Sequence, residues 1–563
     1  MVSMRLKTVL PLFIGLLLSG CGGGGGGEDP TPPILKPTNN APVANAGEDK
    51  TIVLNQSINL SGTASTDSDG DSLSYRWSIN EQPDGSAIEL SNAASSSISF
   101  TPLIAGDYLI HLVVNDGQSD SNVDSVIVSV VGNSEEVTTI PLDASLNILL
   151  IIADDIGVDN ISAYGEQANF SAQTPTIDQF ASQGILFKNT WANPVCSPSR
   201  ASILTGKHAF RHRVTYPGRT HGVLSNSQQT IAEALATVGY KSALFGKWHL
   251  GSNTGELPTD HGFDYYSGSL ANLEDYFDWT KTQVTEKNGL SSNSTQSTYA
   301  TELVASEAQD WIGQQSTPWF VQLAFNAPHS PFHVPPENTY ANNNITGNVG
   351  DSCTNSSADE PKDCYRAAAE SMDYYIKQLI DNIPAEQLVK TVIIFVGDNG
   401  TPGGVIVEEA GNSFSTDHGK GTVYEGGVNV PMIIWGGGET GVIHSATVVD
   451  DLTQIQDIFT TVLAIANVTA FNTTIDGLNL VHYLDDNVTS FNKHQTQYSE
   501  LTDTNTNIDK WAVSDGAMKY IHNEGVEECY NLEDDASEVN NLYVSAPSEI
   551  SRCDELKNLK PNF

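Results

Sequence analysis

The sequence predicts an α/β fold built on a largely parallel sheet with flanking helices and preceded by an all-β sandwich. Three observations lead there. Asn147 to Ala153 is a continuous apolar run of the kind that forms a parallel strand buried on both faces. Beyond it, strand-like runs alternate with helical patterns, the order that α/β folds require. Ahead of it, from about residue 40 to 132, short alternating runs such as Ser57 to Leu60, Ser74 to Trp77 and Tyr108 to Val114 are separated by Gly, Asp, Asn and Ser turns. That spacing reads as a small antiparallel sandwich.

At 563 residues the chain exceeds what one core usually holds, so two or more domains are expected. Its 68 acidic residues against 26 basic ones give a formal charge of -42, which argues against nucleic acid or an anionic membrane surface as a partner. An anionic substrate would have to be captured by a local basic cluster.

The chain opens with Arg5 and Lys7, then an apolar run from Val9 to Leu18, as in an export signal. The run is short of the roughly 20 residues that a membrane-spanning helix needs. Leu18-Ser19-Gly20-Cys21 resembles the lipobox of bacterial lipoproteins, which implies cleavage before Cys21, its lipidation, and a protein anchored to the outside of the cytoplasm, in the cell envelope. Residues 1–21 are assigned to this signal and 22–40, rich in glycine and proline, to a tether.

Residues 41–132 form the sandwich, and resemble a PKD or cadherin-like module in Ala44-Asn-Ala-Gly47, Asp67-Ser-Asp-Gly-Asp71, Tyr75-Arg-Trp77, Phe100-Thr-Pro102 and Val114-Asn-Asp-Gly117. The Asp67, Asp69, Asp71 cluster has its glycine too early for an EF-hand loop and reads as a solvated acidic turn. After a linker, 133–145, the α/β part occupies 146–496. Its strands are expected at Asn147 to Ala153, Lys241 to Phe245, Trp319 to Phe325, Thr391 to Val396 and Met432 to Trp435. Helices are expected at Thr174 to Gly184, with Pro175 at the first position, and at Thr230 to Val238, Thr301 to Gln314, Tyr365 to Ile383 and Leu452 to Ala466. From 497 to 563 the pattern shifts to short strands.

Two strands end in hard oxygen donors, Asp154-Asp155 and Asp398-Asn399, at the sheet edge where open parallel sheets gather ligands. Three carboxylates and an amide suit Ca²⁺ or Mg²⁺. A third feature is Cys196-Ser-Pro-Ser-Arg200, which follows an apolar strand and runs into a helical pattern. A cysteine just ahead of a helix start faces unpaired N–H groups that favour negative charge, and Arg200 adds a planar donor fork suited to tetrahedral oxyanions. Lys247 and His249 in Gly246-Lys-Trp-His-Leu-Gly251, His329 in Ala327-Pro-His-Ser-Pro331 and Lys420 in Gly419-Lys-Gly-Thr complete a cationic set.

From Asn147 to Leu542 these motifs resemble the sulfatase family, most specifically in Asn193-Pro-Val-Cys196-Ser-Pro-Ser-Arg200-Ala-Ser-Ile-Leu-Thr-Gly206. The resemblance implies an α/β sulfatase fold with a small C-terminal α+β subdomain, and oxidation of Cys196 to formylglycine by a maturation enzyme. It also implies a metal, calcium in preference to magnesium, on Asp154, Asp155, Asp398, Asn399 and the modified Cys196. The hydrated aldehyde would attack sulfur with Asp398 as base. His329, with Lys420, would protonate the leaving alcohol, His249 would deprotonate the second hydroxyl to expel sulfate, and Arg200 and Lys247 would orient the diol. The implied substrate is a sulfate ester, with a sulfated sugar or polysaccharide preferred over an aryl sulfate. The rivals are a phosphonate or phosphate ester hydrolase of the same superfold and a non-catalytic polysaccharide-binding lipoprotein. One departure from the family is Asn429, where arginine is common. With Cys21 assigned to lipid and Cys196 to the site, proximity pairs Cys353 with Cys364 and Cys529 with Cys553.

Overall fold

The computed structural model describes residues 39–560, except 54–56, 84–87, 89, 91, 103–105, 132–145, 166–171, 219–220, 287–288, 342–344, 354–359, 407–413, 438–445, 470, 472–473, 485–491 and 549. The expected export signal with Cys21, nearly all of the expected tether and the expected linker lie outside the described residues.

In the sandwich, strands β1 (Lys50–Val53), β3 (Ser74–Glu81), β5 (Gly106–Asn115) and β6 (Asp124–Val131) form one sheet, and β2 (Ile58–Ser61) pairs with β4 (Ser97–Phe100) in another. Tyr108, Ile110, Leu112 and Val114 alternate along β5 and are wholly buried against Trp77, Leu60 and Phe100, so the period of two read from the sequence is the period of the core. One pair differs from an antiparallel expectation: β1 runs parallel to β6. The two are far apart in the chain, so no hairpin dictates their direction.

Among the described residues the α/β part carries ten strands. They are β7 (Asn147–Ala153), β8 (Ile185–Trp191), β9 (Lys241–Gly246), β10 (Tyr265–Gly268), β11 (Trp279–Val284), β12 (Ser292–Gln296), β13 (Trp319–Ala324), β14 (Thr391–Gly397), β15 (Met432–Gly436) and β16 (Thr447–Gln454). The order across the sheet is β12-β11-β10-β9-β13-β7-β14-β15-β8-β16. From β10 through β14 every neighbour is parallel, while β15 runs against both β14 and β8, and β11 and β12 close the far edge antiparallel. In β7 the side chains of Ile148, Leu150 and Ile152 enter one hydrophobic core and those of Leu149, Ile151 and Ala153 the other. This explains the unbroken apolar run: each large residue gains about 1.5–3 kcal/mol by burial on whichever face it meets.

The helix with Pro175 at its first position spans Pro175–Gln183, and the Thr230 hydroxyl caps Ile231–Ala236 in a capping box with Glu233. The expected Leu452 to Ala466 helix is corrected: Leu452, Thr453 and Gln454 pair with Asn189, Thr190 and Trp191 of β8, after a bulge following Val449, and the helix is Asp457–Ile465. Pairing with a distant strand overrides the local helical spacing.

β17 (Gln497–Asp503), β18 (Ile508–Ser514), β19 (Met518–Asn523) and β20 (Val526–Asn531) make an antiparallel sheet in chain order. The helix Ser551–Lys557 covers it, joined to β20 by the Cys529–Cys553 disulfide. The second disulfide joins Cys353 to Cys364. Among the described residues no helix is long and apolar enough to cross a membrane.

Candidate active site

β7, β14, β9 and β13 are parallel and lie in the middle of the sheet, so their carboxyl ends open on one edge. Each is followed by residues of the expected set: Asp154 and Asp155 after β7, Asp398 and Asn399 after β14, Lys247 and His249 after β9, and His329 after β13. Cys196 is the first residue of the helix Cys196–Thr205, all of whose residues are buried. That helix ends at Gly206, whose φ of 70° is left-handed and whose missing Cβ leaves room for Phe459.

The Cys196 Sγ lies 3.1 Å from Nδ1 of His249. Burial pushes the thiol up and pushes His249 well below the ordinary histidine range, the latter helped by Lys247. His249 itself has φ +60°, an uncommon conformation for a side chain of this size, pinned by its carbonyl accepting from the Ser197 hydroxyl at 2.8 Å and its N–H donating to Leu270 at 3.1 Å. Asp155 is also left-handed, with φ +67°.

The charged groups interlock. Lys247 Nζ lies 2.5 Å from Asp154 Oδ2, and Lys420 Nζ lies 2.6 Å from Asp155 Oδ1. Arg200 donates from Nε at 2.9 Å to Asp398 Oδ2, with Nη2 2.7 Å from the same oxygen, and from Nη1 at 2.9 Å to the Lys247 carbonyl. Asp398 Oδ1 accepts the Asp155 N–H at 3.1 Å, and Asn399 Nδ2 donates to Asp155 Oδ1 at 2.9 Å. His329 presents Nε2 3.6 Å from Asp155 Oδ2, while its Nδ1 is 2.6 Å from the Ser330 carbonyl and so carries the donated proton. Thus the structure brings together every expected site residue, Cys196, Arg200, Lys247, His249, His329, Lys420, Asp154, Asp155, Asp398 and Asn399.

The set fits a hard divalent cation. Donor atoms of Asp154, Asp155 and His329 lie within 4.8 Å of one another. Asp154 Oδ1 and Asn399 Oδ1 are buried without a hydrogen-bond partner, although buried polar oxygens are rarely left so. Burial pushes the Asp398 carboxyl up to about 7, and the Asp154 carboxylate adds to it. Burial works on Asp154 in the same sense, but Lys247, His329, Arg200 and Lys420 outweigh it and hold that carboxyl well below the usual range. Three carboxylates crowded so closely ionise together only against added positive charge.

The Sulfatase family model matches residues 146–468, more than half of the chain. The chain belongs to the sulfatase family. A PKD domain family model matches residues 46–130. The human N-acetylgalactosamine-6-sulfatase is 32% identical over 361 residues, 60% of this chain and 65% of that relative, so the chain spans about two thirds of the relative's length. Among solved structures, that of BT4656 in complex with its substrate D-glucosamine-2-N,6-O-disulfate superposes with a TM-score of 0.58 at 20% identity, covering 74% of this chain and 96% of that one. The phosphonate monoester hydrolase of Agrobacterium radiobacter shares the fold with a TM-score of 0.53 at 22% identity, over 74% and 94% of the two chains.

Sequence reasoning missed the side chains that hold this sulfatase site from behind. Tyr365 donates to the Asp155 carbonyl at 2.6 Å, and the Tyr276 hydroxyl lies 2.6 Å from the Asn326 carbonyl and 2.8 Å from that of His329. Neither sits in a motif; each comes from a distant segment, a helix or a loop. Asn429 stands beside Trp191, its Oδ1 buried and unbonded.

Proposed function

We propose that this sulfatase hydrolyses sulfate esters, removing sulfate from a sulfated sugar or polysaccharide outside the cytoplasm. One observation carries the reading: a cysteine at a buried helix start, 3.1 Å from a histidine, faces three carboxylates interlocked with Arg200, Lys247 and Lys420. The sugar preference draws support from what the human relative and BT4656 are named for acting on.

Asp154, Asp155, Asp398 and Asn399 would hold a divalent cation, calcium in preference to magnesium, which would supply positive charge for the sulfate oxygens. Oxidation of Cys196 to formylglycine by a maturation enzyme would supply a hydrated aldehyde as nucleophile, where a thiol has no second hydroxyl. The charge balance supports both. Three carboxylates against Arg200, Lys247 and Lys420 leave the set near neutral, and a divalent ion makes it net positive, as a sulfate monoester inside so acidic a chain requires.

The chain's own residues then divide the work. Arg200 fixes Asp398, which takes a proton from the nucleophile at Oδ1. Lys247 and Lys420 neutralise sulfate oxygens, Lys420 staying protonated because Asp155 outweighs the burial that would lower it. His329, tied at Nδ1 to Ser330, hands a proton from Nε2 to the leaving alcohol from its doubly protonated form, which burial opposes and Asp155, 3.6 Å from Nε2, favours. His249, kept neutral by burial, accepts a proton at Nδ1 when sulfate is expelled.

The test is sulfate release from sulfated polysaccharides, their oligosaccharides and an aryl sulfate, with a phosphonate ester for comparison. Release of sulfate by protein whose peptide mass shows formylglycine at Cys196 is expected, and preferential turnover of the phosphonate would overturn the reading. We also propose a lipid anchor at Cys21, so Cys21→Ser moves the expressed protein from the membrane fraction to the soluble one.

A further inference from the structure

The turn Glu425–Val428 packs behind Asn399 and the approach to Cys196. Gly400, next to Asn399, donates to the Gly427 carbonyl at 3.0 Å and packs so closely that a Cβ on it would lie 1.9 Å from the Gly426 oxygen. Ala192, four residues ahead of Cys196, donates to the Val428 carbonyl at 2.8 Å. Upstream in the same loop, Lys420 donates from its backbone to Thr401 at 2.9 Å and Gly421 to Pro194 at 2.8 Å, which aims the Lys420 ammonium at Asp155.

Part of what holds the turn comes from outside the α/β sheet. Lys519, on β19 of the C-terminal sheet, is wholly buried, with Nζ 2.9 Å from Glu425 Oε1, 2.8 Å from Glu538 Oε1 and 4.5 Å from the centre of the Trp191 ring. Glu538 in turn accepts the Glu425 N–H at 2.5 Å, and Trp191 Nε1 donates to Glu425 Oε2 at 3.4 Å. One ammonium therefore ties together the C-terminal subdomain, the end of β8 that leads to Cys196, and the turn beneath Asn399 and Lys420. Its removal leaves Glu425 and Glu538 buried without the cation they share, and the turn that carries Glu425 loses that tie to the C-terminal sheet.

We infer that Lys519 is a positioning residue for the site, acting through Glu425 to fix the Lys420 ammonium against Asp155. The inference rests on the proposed sulfate ester hydrolysis. Lys519 touches no reacting atom; it sets where another group does. A misplacement of about 1 Å costs on the order of a hundredfold in rate, so the effect is measurable without loss of the fold.

The experiment is a double-mutant cycle on the full chain, with Lys519→Met and Lys420→Ala singly and together, and Lys519→Arg as the conservative variant. Aryl sulfate turnover per folded protein is the readout, the folded fraction being taken from calorimetric melting. Lys519→Met is expected to lower kcat by about 10- to 100-fold with KM within about twofold, Lys519→Arg to recover most of it, and the loss to shrink below about twofold in the Lys420→Ala background. Equal losses in both backgrounds, or a loss matching only the unfolded fraction, would overturn the inference. Absence of sulfate release by the wild type would instead count against the hydrolase reading. The inference would then be read on the ¹³C resonance of reductively methylated Lys420, identified by its loss in Lys420→Ala. A changed shift in Lys519→Met supports positioning, and an unchanged one overturns it.

Discussion

Two acidic clusters in this molecule share a composition and differ in everything that makes a cation site. In the sandwich, Asp67 Oδ1 accepts the N–H groups of Asp69 and Asp71 at 2.9 and 3.2 Å, and Asp69 accepts Asn40 from backbone and side chain at 2.6 and 2.8 Å. Asp67 keeps one unbonded oxygen, but in a turn whose other carboxylates are exposed. At the ends of β7 and β14, Asp154, Asp155 and Asp398 are 0%, 2% and 0% exposed, and their main partners are Lys247, Lys420 and Arg200. Water compensates the first cluster. Only fixed positive charge compensates the second, so burial, and not the count of aspartates, makes the site.

The largest effect expected is from Cys196→Ala, which should cut sulfate release by more than about a thousandfold while leaving the melting temperature near wild type, since one small buried side chain replaces another. Next comes Asp154→Asn. Calcium at about 1,000 times its Kd should stabilise the wild type by about 4 kcal/mol, visible as a fall in melting temperature on chelation. Asp154→Asn should melt at the same temperature with or without chelator and lose most of its activity. A chelator-insensitive wild type would break the comparison at its centre.

How far this contrast was legible in the sequence follows from where each contact is made. Asp154-Asp155 and Asp398-Asn399 could be placed because strands buried on both faces announce their own ends, and Cys196 because a helix start has a local grammar. Glycine spacing alone marks the sandwich aspartates as a solvated turn. The Glu425 to Lys519 pair lies 94 residues apart and joins a turn behind the site to the C-terminal sheet, so nothing local marks it. The end of the strand Thr447–Gln454 is hidden for the same reason: from Leu452 on the spacing suits a helix, and pairing with β8 decides otherwise. Likewise the antiparallel placement of β15 depends on its neighbours and not on its own apolar run.

A third kind of carboxyl sharpens the comparison. Glu500 is 1% exposed, accepts the Phe210 N–H and lies 3.2 Å from the Tyr498 hydroxyl. Burial without sufficient positive charge pushes it up to about 7, and hydrogen bonding only partly offsets this. Between its unfolded value of 4.5 and about 7 the folded state binds more proton, so the stability this group contributes is fully present below 4.5 and is lost as pH rises through about 7. The loss is on the order of 3 kcal/mol at most. Glu500→Gln should lessen the fall in melting temperature between those pH values without abolishing it, since buried Asp398, Glu538 and Asp373 are pushed up in the same window, and an undiminished wild-type slope in the variant would assign it to those groups alone.

The smallest effect expected is at Asp69, and for that reason it tests the comparison most strictly. Asp69→Asn keeps one oxygen to accept from Asn40 and turns the other into an amide, at an exposed position where water replaces what is lost. The cost should stay within about 1 kcal/mol, with activity on aryl sulfate unchanged. Calorimetry of the full chain separates the two clusters, because calcium should raise the melting of the α/β part in wild type and Asp69→Asn alike, and in Asp154→Asn not at all. A calcium response lost in Asp69→Asn would make the sandwich turn a cation site after all. Composition would then have predicted binding where burial did not, and the distinction drawn from the two clusters would fail at the exposed one.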